Sequence, residues 1–247
     1  MSTKDLFVHK AFDALKPLYA ELMDAVSDYA YQELIPFCIQ WGEFFPSEPN
    51  TGIMFYGRAT NGWVTSESDV EKLFDQNSGD RIFARDDQMQ WVEDCAGGQE
   101  DYYNSNKSAF WRVIRQTAKH FYPDDELLQI CWSNVCKIAP DDSNPNDGLF
   151  YAQLPVARRI MQKELEIFSP KHVVLLTGQA WCQDFLFFLN GNQHTKSIAK
   201  YNWGSHNQYT VKVYKMGNIY FYVSEHPQGK NEHTHVRALV NAISANL

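Results

Sequence analysis

Gly52 to Trp63, GIMFYGRATNGW, constrains this chain more than any other stretch. Ile53 to Tyr56 is a continuous apolar run of strand length between Gly52 and Gly57. A run without polar alternation suits a central parallel strand covered on both faces. The residues after Gly57 are small and polar, so the strand spills into a loop able to floor a ligand pocket.

The rest of the chain alternates helix-like and strand-like segments. Residues 5–35 read as helical, with Leu6, Phe7, Phe12, Leu15, Leu18, Tyr19, Leu22 and Val26 at helical spacing and Pro17 as a kink or break. Pro36, Pro46 and Pro49, with Gly42 and Asn50, make a loop in which the aromatic QWGEFFP either plugs the core or caps a pocket. Ser66 can cap a helix over 67–76. Residues 77–106 are polar and turn-rich, a lid or a surface elaboration. Phe110, Val113, Ile114, Thr117 and Phe121 mark one helix face, and 127–138 return to an extended pattern. DDSNPNDG over 141–148 is a loop, and Pro155 can open a helix carrying Val156, Ile160, Met161, Leu165 and Phe168. Then come a buried strand over 172–177, a helix over 180–189 and a polar loop over 190–208. A hairpin around Gly217-Asn218 and a closing helix over 234–243, with Val236, Leu239, Val240 and Ile243 inward, complete the chain. The pattern predicts an α/β fold of three layers, α/β/α, in a single domain spanning 1–247, with a core over about 52–247 and an N-terminal helical extension over 1–50.

Composition narrows the function. A hydrophobic content of 44% in 247 residues supplies a sizeable core. No apolar run approaches the roughly 18 residues needed to span a bilayer, and Lys4, Asp5, His9 and Lys10 stand where a signal peptide has its apolar core. A soluble, cytoplasmic, monomeric protein with no membrane partner is expected. Five cysteines with no C-x-x-C pair suggest neither a disulfide framework nor a zinc ribbon. The formal charge of −8 opposes global attraction to phosphate backbones.

In open α/β sheets ligands sit beyond the carboxyl ends of the strands, which selects the loops at 57–63, 134–148 and 225–233. Gly57 and Gly62 permit close backbone approach, and Arg58, Thr60 and Asn61 supply polar groups between them; a tight strand-to-helix turn uses the same residues. The loop is neither G-x-G-x-x-G nor a P-loop. Asn134 and Lys137 interrupt an apolar strand, where a buried amide needs partners for its donors and its acceptor, from a ligand or a neighbouring loop. His226, at a strand end beside Pro227, can donate to a ligand oxygen or stabilise charge forming on it. His233 and His235 could complete a zinc site with His226, yet no carboxylate or cysteine completes a recognised ligand spacing, so no metal is expected.

Taken in order, these stretches resemble the uracil-DNA glycosylase superfamily. GIMFYGRATNGW looks like its first motif, and ICWSNVCKIAPDD is similar to the strand carrying the uracil-reading asparagine in its Thr-Asn-x-x-Lys form. ELEIFSPKHVVLLTGQAW resembles the helix, proline and apolar strand that precede a glycine and alanine, and YVSEHPQG looks like the second motif, which begins His-Pro. KSAFWRVIRQ is similar to the Phe-Trp helix of the mismatch-specific branch. The resemblance covers about 55–245 and implies a central, mainly parallel four-stranded sheet with helices on both faces. It places Gly57, Arg58, Ala59 and Thr60 on the substrate-binding first motif, Asn134 on the base-reading asparagine and His226 on the catalytic histidine.

By that resemblance the base is extruded from the stack and read along its polar edge. Asn134 would contact uracil O4 and N3–H, and His226 would stabilise the departing uracilate while water attacks the sugar carbon. Ala59 occupies the position of the water-activating Asp or Asn of several branches, leaving Asn61 as the nearest substitute. The four-cysteine pattern of the iron-sulfur branches is absent, so no cofactor is expected. Gln228-Gly229 follows His226-Pro227 in place of a serine and an apolar wedge. Phe83, Tyr102 and Tyr103 are candidates for the stacking aromatic. The implied activity is cleavage of the N-glycosidic bond of uracil or another damaged base in DNA. The alternatives are a noncatalytic nucleobase, nucleotide or nucleic-acid binder of the same fold and an unrelated small-molecule hydrolase.

Overall fold

The computed structural model describes residues 3–45, 50–60, 62–97 and 103–247. In chain order the elements are α1 Thr3–Ala25, β1 Leu34–Pro36, β2 Gln40–Trp41, β3 Thr51–Gly57, α2 Val70–Phe74, α3 Gln90–Asp94 and α4 Ala109–Phe121. They continue with β4 Ile130–Asn134, β5 Ile138–Pro140, α5 Asp147–Phe168, β6 Pro170–Leu176, α6 Gln179–Leu189, β7 Ala199–Trp203, β8 Tyr209–Met216, β9 Ile219–Ser224 and α7 Glu232–Ser244. The protein is α/β, with seven α-helices and a mixed, partly parallel seven-stranded sheet among the described residues. The chain divides into two compact units, Met1–Gln40, Arg58–Asp86 and Ser133–Ser169 in one, Trp41–Gly57, Asp87–Trp132 and Pro170–Leu247 in the other.

In the first unit α1 packs on α5 and α2. Phe7 meets Phe168 edge to face, Phe12 meets Phe74 and Phe83 likewise, and Tyr19 donates to the Phe37 carbonyl at 2.6 Å. β1 and β5 form a small antiparallel sheet in this unit. Both prolines expected to interrupt or open a helix lie inside one, Pro17 in α1 and Pro155 in α5. Each is exposed, as are Asp13 and Tyr151 four residues earlier. The carbonyl that a proline leaves without an N–H donor therefore faces water, and the helix continues. Asn146, not Pro155, starts α5 by accepting from the Leu149 N–H. Likewise Asp69, not Ser66, caps the shorter α2 by accepting from the Glu71 N–H.

The second unit carries most of the sheet, whose order is β2-β4-β3-β6-β9-β8-β7. β3, β6 and β9 run parallel, with Tyr56 beside Leu175 and Leu176 beside Ser224. Their carboxyl ends therefore finish along one edge. Met54, Phe55 and Val173 to Leu176 have no exposed surface, as strands covered on both faces require. β8 and β9 form the expected hairpin, with Met216 opposite Ile219 and Gly217 at φ 58 in the first turn position, where only a glycine is unstrained. β7 lies in a stretch read from sequence as loop. Lys200 and Asn202 face solvent on this edge strand, so its apolar signal is thin.

The closing helix begins at Glu232 and turns His235, Ala238, Leu239, Ala242 and Ile243 inward, leaving Val236 and Val240 half-buried. Of QWGEFFP, Trp41 and Phe45 are core and Phe44 is largely exposed, while Pro46 and Pro49 lie outside the described residues.

Gly42 donates its N–H to the Ile130 carbonyl and runs so close to β4 that an added Cβ would stand 2.2 Å from the Leu128 carbonyl oxygen. Gly42→Ala is expected to lose about 3 kcal/mol in urea titrations, because backbone rather than a flexible side chain has to move. A second expectation concerns acid. Burial holds His235 down at about 3 and His172 at about 4. Because these folded values lie below the unfolded value near 6.5, the unfolded chain binds more protons below that pH. Their contribution is complete above pH 6.5 and is lost as pH falls toward 4 and 3. Each histidine should remove about 1.4 kcal/mol of stability per pH unit within that window. Urea midpoints between pH 6.5 and 5 should fall less steeply in His235→Asn; an unchanged slope would mean that His235 is protonated in the folded protein.

Candidate functional site

In the first unit, the loop leaving the sheet begins with Arg58, whose carbonyl accepts from the Cys136 N–H at 2.8 Å. That bond joins the loop to the segment carrying Asn134. Thr60 is 5% exposed and Asn134 is 1% exposed. Neither Thr60 Oγ1 nor Asn134 Nδ2 has a hydrogen-bond partner among the described residues. An orphaned buried polar group costs about 1 to 3 kcal/mol. Ala59 is half-buried between Arg58 and Thr60, and Asn61 lies outside the described residues. The exposed Asp141 follows β5, its Oδ1 3.5 Å from where a Cβ on Gly62 would stand. The protein therefore sets a carboxylate beside this loop, a residue the sequence reading did not single out.

The neighbours of Asn134 are fully bonded. Lys137 Nζ donates to Ser133 Oγ at 2.6 Å and to both Glu164 oxygens at 2.8 Å, and Ser133 Oγ lies 3.1 and 3.2 Å from the same carboxylate. All three residues are completely buried. Gln153 Oε1 accepts from the Lys137 and Ile138 N–H groups, and its Nε2 donates to the Ile138 carbonyl. A signal for Glu164 did exist in the sequence. It stands four residues beyond Ile160 on the apolar face of α5, a place a carboxylate occupies only with a partner.

In the second unit, Gly57 closes β3 and His226 follows the end of β9, with β6 between those strands. The His226 ring is half-buried and lies parallel to Phe110, centroids 5.9 Å apart and planes 10° apart. Its Nδ1 accepts from the Gln228 N–H at 3.3 Å. A neutral imidazole that accepts at Nδ1 carries its proton on Nε2, where it is a donor. Lys230 Nζ donates to the carbonyls of His226 at 2.8 Å and Gln228 at 3.4 Å and sits over the Tyr209 ring. Its ammonium therefore braces the His-Pro-Gln-Gly turn. Arg112 grips Glu232 with two bonds of 2.8 and 2.5 Å, tying α4, which carries Phe110, to α7.

His235 bonds Ser224 Oγ at 2.8 Å through Nε2 and stacks flat on Trp203, 3.8 Å between centroids. It is a core residue. Among the described residues no group of three His, Cys, Asp or Glu is arranged to hold a metal ion. Burial, then the Glu164 charge, pushes the Cys38 thiol up to about 12; burial likewise raises Cys182 to about 12 and raises Cys136. These three are inert packing thiols. Of the candidate stacking aromatics, Phe83 is a correction. It is 2% exposed and stacks on Phe74 at 5.1 Å, so the core has already taken its face. Tyr103 is half exposed against Trp91, and Tyr102 lies outside the described residues. Among the described residues no helix is long and apolar enough to cross a membrane.

No protein-family model matches this chain, and no curated protein matches it.

Replacing Asn134 by the near-isosteric leucine is expected to raise the stability of the ligand-free protein by about 1 kcal/mol or more, because an orphaned amide is removed. Chemical denaturation measures this. A loss of comparable size would show that the amide holds the fold together and would remove Asn134 from the site.

Proposed function

We propose that this protein recognises a keto nucleobase through Asn134 and acts as a uracil-DNA glycosylase-like hydrolase on its N-glycosidic bond. The observation that carries the reading is the buried Asn134 Nδ2, a donor for which no described residue is an acceptor. A base carbonyl such as uracil O4 satisfies it, and the same carboxamide accepts from N3–H. Thr60 Oγ1 is a second buried group awaiting a partner. Support also comes from four adjacent strands, β4-β3-β6-β9, of which β3, β6 and β9 are parallel, as in the sheet that the sequence resemblance implies.

In this reading the loop from Gly57 through Arg58, Ala59 and Thr60 lines the base site. The role of His226 is carried by the sequence resemblance alone, which assigns it to the charge that forms on the departing base. Ala59 can neither orient nor deprotonate water, and Asp141 is the carboxylate we assign to that task. The formal charge of −8 opposes tight binding to a duplex backbone and weighs against DNA as the substrate. A noncatalytic binder of the same base is the second reading, favoured by the alanine at position 59.

Incubation with uracil-containing single- and double-stranded DNA, then alkali, should produce strand breaks. His226→Ala should slow them about 10²- to 10³-fold. Asn134→Ala should weaken uracil binding by about 1 to 3 kcal/mol, whereas Asp141→Asn should reduce breakage and leave uracil binding intact. Uracil binding without breaks from uracil, xanthine or hypoxanthine substrates would establish the binder. Absence of both would refute the nucleobase reading.

A further inference from the structure

We propose that Lys137 and Glu164, through Ser133, are positioning residues that set the Asn134 carboxamide in its reading geometry. The inference rests on the nucleobase reading of Asn134 given above, and every group in it belongs to the first unit.

A lysine and a glutamate with no exposed surface need a reason. Stability is a poor one, because a buried ion pair replaced by well-packed apolar residues is commonly as stable or more so. A serine–lysine catalytic dyad is also a poor one. Lys137 Nζ is engaged by both Glu164 oxygens as well as by Ser133 Oγ, so it is held in an ion pair rather than poised beside a free hydroxyl.

What the pair does is fix a short piece of backbone. Ser133 and Asn134 are successive strand residues, so their side chains leave opposite faces. Locking the Ser133 hydroxyl against Glu164 locks the direction in which Asn134 projects. On the far side, the Cys136 N–H is held by the Arg58 carbonyl, and Lys137 is held twice, by its ammonium and by its N–H on Gln153. Gln153 and Glu164 are eleven residues apart on α5, about three turns, and so present one face to the whole segment. Asn134 is thus clamped immediately before and shortly after, while its own Nδ2 is left without a protein partner among the described residues. A ligand-reading amide requires that its supporting groups hold it to within about 0.5 Å. An ion pair with full hydrogen bonding defines such a position more sharply than interchangeable apolar contacts.

The test is the full-length double variant Lys137→Met/Glu164→Leu, which removes both charges together. Three quantities are read: the melting temperature, the dissociation constant for free uracil, and the side-chain amide NMR signals of Asn134, assigned by their loss in Asn134→Asp. The double variant is expected to melt within about 5 °C of the parent. Its uracil affinity should fall about tenfold or more, with the Asn134 signals shifted and broadened. A folded double variant with parental affinity and unchanged Asn134 signals overturns the proposal. If the double variant does not fold, Ser133→Ala keeps the ion pair and cuts its link to the strand. The same changes in Asn134 signals and affinity, smaller in size, then support the proposal, and parental values overturn it. A parent protein that binds no uracil refutes the nucleobase reading alone, and the Asn134 signals still decide whether the pair positions the amide.

Discussion

Parallel pairing of β3, β6 and β9 is the constraint on which the second unit is built. Parallel neighbours need a crossover between them, so the chain leaves the sheet after each strand and returns at its opposite end. Register then collects the exits, with Gly57, Leu176 and Ser224 at matching ends. Gly178 strengthens that edge by donating its N–H to the Ser224 carbonyl at 2.8 Å. The candidate residues Arg58 and His226 follow two of those strand ends in the chain, where backbone groups are released from the ladder.

Buried polar chemistry is handled in three distinct ways. Lys137, Glu164 and Ser133 satisfy one another completely, and the cost of desolvating two charges is offset by short, charge-assisted hydrogen bonds. His172 and His235 stay neutral, each bonded at one nitrogen, to Tyr222 and to Ser224, and stacked on an aromatic neighbour. Asn134 differs in having no hydrogen bond at its carboxamide nitrogen, whereas each histidine leaves only its second nitrogen, His172 Nε2 or His235 Nδ1, without a partner among the described residues. The contrast is sharpest because Ser133, the adjacent residue, is completely satisfied.

Much of the architecture was legible in the chain. Ile53 to Tyr56 reads as a doubly covered strand because it has no polar alternation, and that is how β3 sits. Gly217-Asn218 between two β-rich runs reads as a two-residue hairpin, and the register agrees. Misreadings came where a local signal was overruled by exposure. Pro17 and Pro155 looked like helix boundaries, but each stands on a solvent-facing turn where water can take the freed carbonyl. β7 escaped notice since two of its five residues face solvent, and Val236 yielded the inward face to His235 because Ser224 and Trp203 give the imidazole a better-satisfied place.

By itself the sequence determined the main strands and helices and the candidate residues Arg58, Thr60, Asn134 and His226, since glycines, periodicity and a polar residue in an apolar run are local properties. Tertiary structure decided what each residue does. It made Lys137 a partner of Glu164 twenty-seven residues away, turned His235 and Phe83 into core, brought Asp141 beside Gly62, and left the Asn134 donor unmatched. Hydrogen-bond satisfaction and burial depend on contacts between segments distant in the chain, and no pattern within one segment encodes its partner.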